Sequence, residues 1–436
     1  MKRLVCLAVW IAAADAQAAA PPRSSAAFLA TIGVDTHMAY TDGLYANFNQ
    51  VTADLQYLGI TTVRDGISNG YNPITGVYNG SAPLSTYQTL AAAGVQFTFV
   101  TSGGGAMTPA VLDTVLGQMQ TVAMSTPGSV LALEGPNEIN NFPLTWNGGP
   151  DATCPEELAA AKAFQRTLYA DVTTNTAFTG AKLVMFTGAP AYLTQDSCQL
   201  AAAPNIAKVK GYANWDNQHP YPRNGDAPAA YLNPAHAVPG NTAPLVYTET
   251  GYNTDGGTDA GVNAYVQAAY GLDLFFDAAH YGVLHTYWYD LLDAYAPGSP
   301  QGDDGYGLFD YQGNAKPLAV ALHNLHAILQ DTGTSPLRTP HFTTSGLPAS
   351  GTTLALGRQD GSDGDFVLWA EPPLWNPATG TQLSASPSTV TVSLGKTYAS
   401  VSVFDPTIGS AATQTLAKVA TVTVSLLDHP LIIRAR

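Results

Sequence analysis

Charged residues, cysteines and long apolar runs are all scarce in this sequence. Charged residues make up 11% of the 436 residues, and the acidic ones outnumber the basic ones to give a net charge of −15. Phosphate groups would repel such a chain, so we expect neither nucleic acid nor an anionic membrane as a partner. The sequence also lacks metal-ligand spacings, phosphate-binding loops and dinucleotide fingerprints, which predicts no metal and no cofactor.

Residues 1–16 have the pattern of a secretory signal peptide. Lys2 and Arg3 provide the positive end, Leu4–Ala14 the apolar stretch, and the small residues around Ala16 a cleavage site. The apolar stretch is too short to span a bilayer, and no later segment is long and apolar enough. We therefore predict a secreted or periplasmic protein, cleaved after Ala16 or after Ala20.

The sequence contains three cysteines, of which Cys6 would leave with the signal peptide. In an oxidising compartment, two remaining cysteines form a disulfide more often than a metal site. We therefore predict a disulfide between Cys154 and Cys198. Two buried free thiols are the alternative.

Between residues 25 and 332, short apolar runs alternate with helical patterns. Eight strands that alternate with helices imply parallel pairing, and right-handed crossovers then close a (β/α)8 barrel of the α/β class. A doubly wound open sheet fits the same alternation, but it would bind ligands at one crevice, whereas here polar residues follow nearly every strand. The predicted strands are Thr31–Asp35, Thr61–Arg64, Gln96–Thr101, Ser129–Glu134, Lys182–Phe186, Asn214–His219, Leu245–Glu249 and Val283–Trp288. The predicted helices are Phe48–Leu58, Leu84–Ala93, Pro109–Met124, Pro155–Thr174, Pro204–Tyr212, Val262–Ala279 and Lys316–Gln330.

The pattern changes after the barrel. From residue 340 to residue 436, short alternating strands are separated by turns rich in Gly, Pro and Ser. This pattern predicts a small all-β sandwich domain of ordinary size.

Two glutamates, Glu138 and Glu249, each end a short apolar run and precede a loop with Gly, Pro or Asn. At the C-terminal ends of two barrel strands, such a pair can place two carboxyl groups across one sugar bond. One carboxyl group must keep its proton at neutral pH, so we expect a dry environment that raises its pKa. The other must stay ionised, and Arg64, His219 and Tyr221 are candidates to hold it so.

These residues carry a resemblance to a known group of enzymes. Asn137-Glu138 after the fourth predicted strand and Glu249 after the seventh resemble the paired signature of clan A glycoside hydrolases, which are retaining (β/α)8 enzymes. With its C-terminal β-domain, the chain most resembles family 39, with families 5, 30 and 79 as neighbours. Supporting matches are Arg64, His219-Pro220-Tyr221, Trp288 and the stretch Gly307–Pro317.

The resemblance implies a role for each matched residue. Glu249 would be the nucleophile and Glu138 the acid/base of a double displacement on a β-linked poly- or oligosaccharide. Asn137 would hold the sugar 2-hydroxyl, and Arg64 and Tyr221 would orient Glu249. The remaining substrate-binding residues implied are His219, Trp288 as the floor of the subsite for the reacting sugar, and His37, Trp146 and Tyr252 in outer subsites, with Asp65 and Asp290 nearby.

Other interpretations of the same residues stay open. Trp288 and Trp146 could be packing residues, and Tyr252 could pack with its hydroxyl outward. The protein could be a catalytically silent carbohydrate-binding barrel, although a binder has no need of two opposed carboxylates. It could also be a transglycosylase that uses the same two glutamates. The sequence leaves open the sugar, the linkage, internal or terminal cleavage, the role of the β-domain and the oligomeric state.

Overall fold

A computed structural model of the protein describes residues 24–67, 71–72, 77–78, 82–149, 154–187, 211–232, 243–254, 261–299, 305–338 and 340–436. The predicted signal peptide and Cys198 lie outside these residues, as does most of the predicted helix at 204–212. Within the described residues, no helix is long and apolar enough to cross a membrane.

Eight parallel strands form the first part of the structure. They run in the order β6-β7-β8-β1-β2-β3-β4-β5. The two outer strands meet through a parallel bridge between Val184 and Trp215, where Met185 N donates to Trp215 O at 3.0 Å. The sheet is therefore a barrel, as predicted, and the open-sheet alternative is excluded. The strands are β1 (Ile32–Asp35), β2 (Thr62–Asp65), β3 (Gln96–Ser102), β4 (Val130–Pro136), β5 (Lys182–Val184), β6 (Asp216–Gln218), β7 (Leu245–Thr250) and β8 (Thr286–Trp288).

Helices follow most of the barrel strands. Capping residues explain several starts: the Asn47 side chain accepts from Gln50 N, and the Thr108 side chain accepts from Val111 N ahead of Pro109. The helix after β1 is capped at its C-terminus by Gly59, whose φ of 71° suits glycine. The helices are α1 (Ser25–Leu29), α2 (Phe48–Leu58), α3 (Leu84–Ala92), α4 (Pro109–Ser125), α5 (Cys154–Thr174), α6 (Ala229–Leu232), α7 (Ala264–His280) and α8 (Pro317–Leu329).

The C-terminal part is an antiparallel β-structure, which confirms the predicted sandwich. Its sheet has the order β9-β12-β14-β11-β10, and β13 pairs with β12. The long strand β12 pairs first with β9 and then, after a register shift relative to β13 between Ser393 and Tyr398, with β14. The strands are β9 (Thr343–Ser345), β10 (Gly351–Leu356), β11 (Gly364–Ala370), β12 (Ser388–Phe404), β13 (Gln414–Leu426) and β14 (Leu431–Ala435), with a small ribbon of Trp375–Asn376 and Thr381–Gln382.

Strand β11 is buried on both of its faces. Phe366 and Leu368 belong to the core of the β-domain, whereas Val367 and Trp369 belong to the core of the barrel. The Trp369 ring lies 5.6 Å from that of Phe276 on α7, and its indole N–H donates to Asp277 at 2.9 Å. The β-domain therefore packs directly on the outer helices of the barrel.

Candidate active site

Side chains from four different barrel strands converge at the C-terminal end of the barrel. This is the end at which (β/α)8 enzymes build their sites, because the loops that follow the strands meet there. Hydrogen bonds join them into one network, in which Thr248 links His219 to Glu134 and Glu134 binds Arg64. The members predicted from the sequence are Arg64 in β2, Asn137 and Glu138 after β4, His219 and Tyr221 after β6, and Glu249 in β7.

Glu249 has a donor on each carboxylate oxygen. Arg64 Nη1 donates to Oε1 at 2.7 Å, and the Tyr221 hydroxyl donates to Oε2 at 2.9 Å. The residue is only 7% exposed. The cation and the hydroxyl thus replace the water that a buried carboxylate loses.

A second glutamate holds Arg64 in place. Glu134 is fully buried, and its carboxylate accepts hydrogen bonds from Arg64 Nε at 2.7 Å and from Arg64 Nη2 at 2.9 Å. Arg64 Nη2 also donates to Asn137 Oδ1 at 2.7 Å, and Asp35 lies 3.5 Å from Nη1. The planar guanidinium therefore forms a bidentate ion pair with Glu134 and donates its other hydrogen bonds to Glu249 and Asn137.

Glu138 is paired with His219. His219 Nδ1 lies 2.8 Å from Glu138 Oε1, and Asn141 Nδ2 donates to Oε2 at 2.8 Å. Burial raises the pKa of Glu138, but the hydrogen bond and charge of His219 outweigh it with help from Asn141 and Arg64, and the pKa lies below its usual value. Burial lowers the pKa of His219, but Glu249 and Glu138 raise it above its usual value.

The direction of the Glu138 shift corrects the expectation that its own pKa is raised. The expectation considered only burial, which raises the pKa of a carboxyl group, whereas the buried His219 beside Glu138 lowers it. The ionisation of Glu138 therefore depends on that of His219, whose Nδ1 lies 2.8 Å from Glu138 Oε1.

The same three residues have the donor types of a metal site. One ligand atom each from Glu138, His219 and Glu249 lies within 4.8 Å of the others. However, His219 Nδ1 is engaged by Glu138, and both oxygens of Glu249 are engaged by Arg64 and Tyr221. The guanidinium already supplies the positive charge that a divalent ion would bring, so the network is satisfied by protein groups.

Two of the predicted substrate-binding residues lie in the core instead. Trp288 has no exposed surface, packs near Phe275 at 6.3 Å and donates its indole N–H to Tyr306 O at 3.0 Å. Tyr252 also has no exposed surface, and its hydroxyl donates to Asp226 O at 2.6 Å. Their predicted places in the cleft are wrong, because both side chains point away from it.

The other outer residues are divided between the cleft and the scaffold. His37 stacks on Tyr40 at 4.7 Å, and burial lowers its pKa to about 4 although the nearby charge of Glu249 raises it. Trp146 packs edge-on against Phe164 of α5 at 5.2 Å, as a packing residue would. His37 therefore lies beside Glu249, and its predicted role in substrate binding stays a prediction.

The two aspartates named with them have partners at the strand ends. Asp65 accepts from the Thr36 hydroxyl at 2.6 Å and from Met38 N at 3.1 Å, and so fixes the turn after β1. Asp290 accepts from the Tyr45 hydroxyl at 3.2 Å. Asp65 thus supports the turn after β1, and its place in an outer subsite stays a prediction.

Sequence reasoning missed several residues of the site, among them Asn217 and Thr248, which bond to Glu134. Glu134 was assigned only to a strand, although a charged residue at the end of an apolar run needs a buried cation, and this was a usable signal. Asn141 gave no signal beyond its place three residues after Glu138. Tyr289, one residue after the expected Trp288, lies edge-on to Tyr221 at 6.3 Å and to His37 at 5.2 Å.

The predicted disulfide remains a prediction. The side chain of Cys154 and the whole of Cys198 lie outside what the structure describes.

Comparisons with known proteins add solved structures of the same architecture. No protein-family model and no curated protein matches this chain. A family 39 glycoside hydrolase from the gut symbiont Bacteroides cellulosilyticus WH2 aligns over 96% of this chain and 83% of its own, with a TM-score of 0.61 and 14% identity. A monomeric β-xylosidase from Caulobacter crescentus CB15 aligns over 96% of this chain and 97% of its own, with a TM-score of 0.57 and 16% identity.

A GH39 enzyme from Xanthomonas axonopodis pv. citri also aligns over 96% of this chain and 97% of its own, with a TM-score of 0.54 and 14% identity. At such identities the likeness establishes the fold alone. The chain thus has the two-part fold of solved family 39 glycoside hydrolases, a (β/α)8 barrel followed by a β-sandwich.

Proposed function

We propose that this protein is a retaining glycoside hydrolase acting on a β-linked poly- or oligosaccharide. One observation carries the proposal: two buried glutamates, Glu138 and Glu249, present carboxylate oxygens within 4.8 Å of each other at the C-terminal end of a barrel. Their partners differ, because Glu249 is held by Arg64 and Tyr221 and Glu138 by His219 and Asn141. Two carboxyl groups in different environments are the requirement for splitting nucleophilic and acid roles.

The separation favours retention of configuration. Retaining enzymes place their carboxyl groups ~5 Å apart, whereas inverting enzymes leave roughly 6.5–9.5 Å for a water molecule between carboxylate and sugar. One oxygen of each carboxylate lies within 4.8 Å of the other, and this short approach supports the retaining arrangement. Glu249 therefore attacks the anomeric carbon directly and forms a glycosyl ester.

Glu138 and His219 handle the proton. As the bond from the anomeric carbon to the leaving oxygen breaks, Glu138 gives that oxygen a proton, which it receives from His219 Nδ1 across 2.8 Å. In the second step, Glu138 takes a proton from water, and the water oxygen displaces Glu249 from the anomeric carbon. The proton then returns to His219, and the site is restored.

Aromatic rings beside Glu249 suit the apolar face of a sugar. Tyr289 lies 5.6 Å from Tyr306, and Tyr306 lies 5.7 Å from Tyr221. Aromatic faces bind the C–H faces of pyranoses through apolar contact. Since one of the similar structures is named as a β-xylosidase, β-xylosides are the first substrates to test, followed by β-glucosides.

We further propose that the protein acts after export, on the basis of the signal-like residues 1–16. A net charge of −15 suits a neutral glycan as substrate better than an acidic one.

The test compares the wild-type protein with Glu249→Ala and Glu138→Ala on aryl β-xylosides, aryl β-glucosides and a panel of β-linked polysaccharides. We expect activity in the wild type and a loss of at least about a thousandfold in Glu249→Ala, since the nucleophile is removed. Added azide should restore turnover in both variants, giving an α-glycosyl azide with Glu249→Ala and a β-glycosyl azide with Glu138→Ala.

Proton NMR of the first-formed sugar should show the β-anomer. An α-anomer would refute retention, and cleavage that survives in Glu249→Ala would refute its role. Wild-type activity should persist in a chelator; its loss would assign Glu138, His219 and Glu249 to a metal. Glycan binding without turnover would indicate a silent barrel, and transfer to an added sugar acceptor in preference to water would indicate a transglycosylase.

A further inference from the structure

The loop after β6 connects the candidate site to the β-domain. Its first part carries Tyr221, whose hydroxyl donates to Glu249 Oε2 at 2.9 Å. The loop then turns through Asn224 and Gly225, which both have positive φ, at 55° and 64°. It ends in the short helix α6. What holds this turn therefore affects where the Tyr221 hydroxyl lies.

The β-domain contacts the turn through Trp375. A β-carbon at Gly225 would lie 2.5 Å from Cβ and from Cγ of Trp375, so the indole rests directly on the backbone of the loop. Trp375 is only 8% exposed and lies in the ribbon that packs on the barrel core. Only glycine permits this close approach together with the positive φ.

A second contact from the β-domain holds the end of the loop. Glu371, which directly follows β11, accepts from Ala229 N at the start of α6 at 3.2 Å. From the barrel side, the Tyr252 hydroxyl donates to Asp226 O at 2.6 Å and the Tyr247 hydroxyl to Leu232 O at 2.7 Å. The loop is thus held between the two parts of the protein, with Trp375 beneath its turn.

We infer that Trp375 of the β-domain is a positioning residue for the candidate nucleophile, acting through the loop turn at Gly225 and the hydroxyl of Tyr221. This inference rests on the proposed glycosidase function for its catalytic part. It gives the β-domain a defined task at the reaction site, to keep one donor aimed at Glu249. The contact itself does not depend on which sugar is cleaved.

The first test is a double-mutant cycle with Trp375→Ala and Tyr221→Phe. If Trp375 acts through Tyr221, Trp375→Ala lowers kcat/KM by about fivefold or more with Tyr221 present and by less than about twofold in the Tyr221→Phe background, because coupled residues are non-additive. Equal losses in both backgrounds would overturn the inference. Trp375→Phe, which keeps a ring under Gly225, should recover most of the activity.

Gln382→Ala is the matched control. Gln382 lies opposite Trp375 in the same ribbon, but its side chain accepts from Asn263 of the α7 cap at 2.8 Å and not from the loop. We expect wild-type activity in this variant. Losses equal to those of Trp375→Ala would show a general effect of the domain contact and overturn the specific role of Trp375.

Hydrogen exchange tests the same contact without any substrate. Trp375→Ala should increase deuterium uptake in residues 219–232, whereas strands β1 to β4 keep wild-type uptake. Unchanged uptake in the loop would overturn the inference. If the wild type cleaves no glycoside while the loop responds as expected, the proposed function fails and the structural coupling stands.

Discussion

Replacing Glu134 with glutamine removes one charge beneath the two candidate catalytic glutamates without changing the size of the side chain. Every partner of the Glu134 carboxylate is a donor: Arg64 Nε and Nη2 at 2.7 and 2.9 Å, Asn217 Nδ2 at 3.1 Å and the Thr248 hydroxyl at 3.2 Å. A glutamine amide must point its NH2 group at some of these donors in either orientation. At least one charge-assisted hydrogen bond is therefore lost.

The magnitude follows from burial. Breaking a buried ion pair by removing one partner costs about 3–5 kcal/mol. The lower value applies here, because Glu249 and Asp35 remain beside Arg64. For a chain of 436 residues, the unfolding entropy is roughly 0.9 kcal/mol/K, so Tm should fall by about 3 °C if the chain unfolds as one unit. Arg64 also orients Glu249 and Asn137, and one weakened charge-assisted bond of about 1.5–3 kcal/mol predicts a loss of about 10- to 150-fold in kcat/KM.

The assay is thermal unfolding together with kinetics on the aryl glycoside that the wild type cleaves fastest. Glu371→Gln is the control, because Glu371 is a second buried glutamate whose pKa burial raises, although Asp277 and Ala229 N lower it. Neutralising a carboxyl group that is already inclined to hold a proton should cost little. The reasoning fails if Glu134→Gln keeps Tm within about 1 °C and kcat/KM within about twofold of the wild type. It also fails if Glu134→Gln and Glu371→Gln show equal decreases in Tm and kcat/KM.

Two further predictions concern pH. Burial lowers the pKa of His429, but hydrogen bonds to Asp405 and Asp428 raise it to about 9. The stability that His429 contributes to the fold is fully present below its unfolded pKa of roughly 6.5 and is lost as pH rises through about 9. His429→Gln should therefore lower the free energy of unfolding by about 3 kcal/mol at pH 6 and by little at pH 10, measured by urea unfolding. A constant difference across this range would contradict it. Burial and the charges of Glu371, Asp277 and Asp428 raise the pKa of Asp273. As pH rises above roughly 4, Asp273 therefore ionises more readily in the unfolded state, and the folded state loses stability. The Tm of Asp273→Asn relative to wild type should increase from pH 4 to pH 7, and a constant difference would refute this.

The alternation of apolar runs and helical patterns sufficed to predict the barrel and most element bounds. Helix α2 begins and ends at the predicted residues, because Asn47 caps its start and Gly59 its end. The site residues Arg64, Glu138 and Glu249 were found for a related reason. Charged residues at the ends of parallel strands necessarily meet at one end of a barrel.

The sequence did not predict which face of a strand each aromatic side chain occupies. In β8, the Tyr287 hydroxyl reaches Thr98 at 2.6 Å across the barrel interior, so Trp288 faces the helices instead. A shift of one residue moves a side chain to the other face of a strand, and several aromatic residues follow one another here. The pairing of Glu138 with His219 was equally hidden, since it depends on the distance between residues far apart in the chain.

The two-sided burial of β11 bears on how this protein can change over evolutionary time. A β-domain taken from another protein would bring the face of β11 that packs in its own core, with Phe366 and Leu368. It would also have to reproduce the other face, where Trp369 packs against Phe276 of the barrel. Exchange of the domain as a cassette therefore demands matching substitutions on α7.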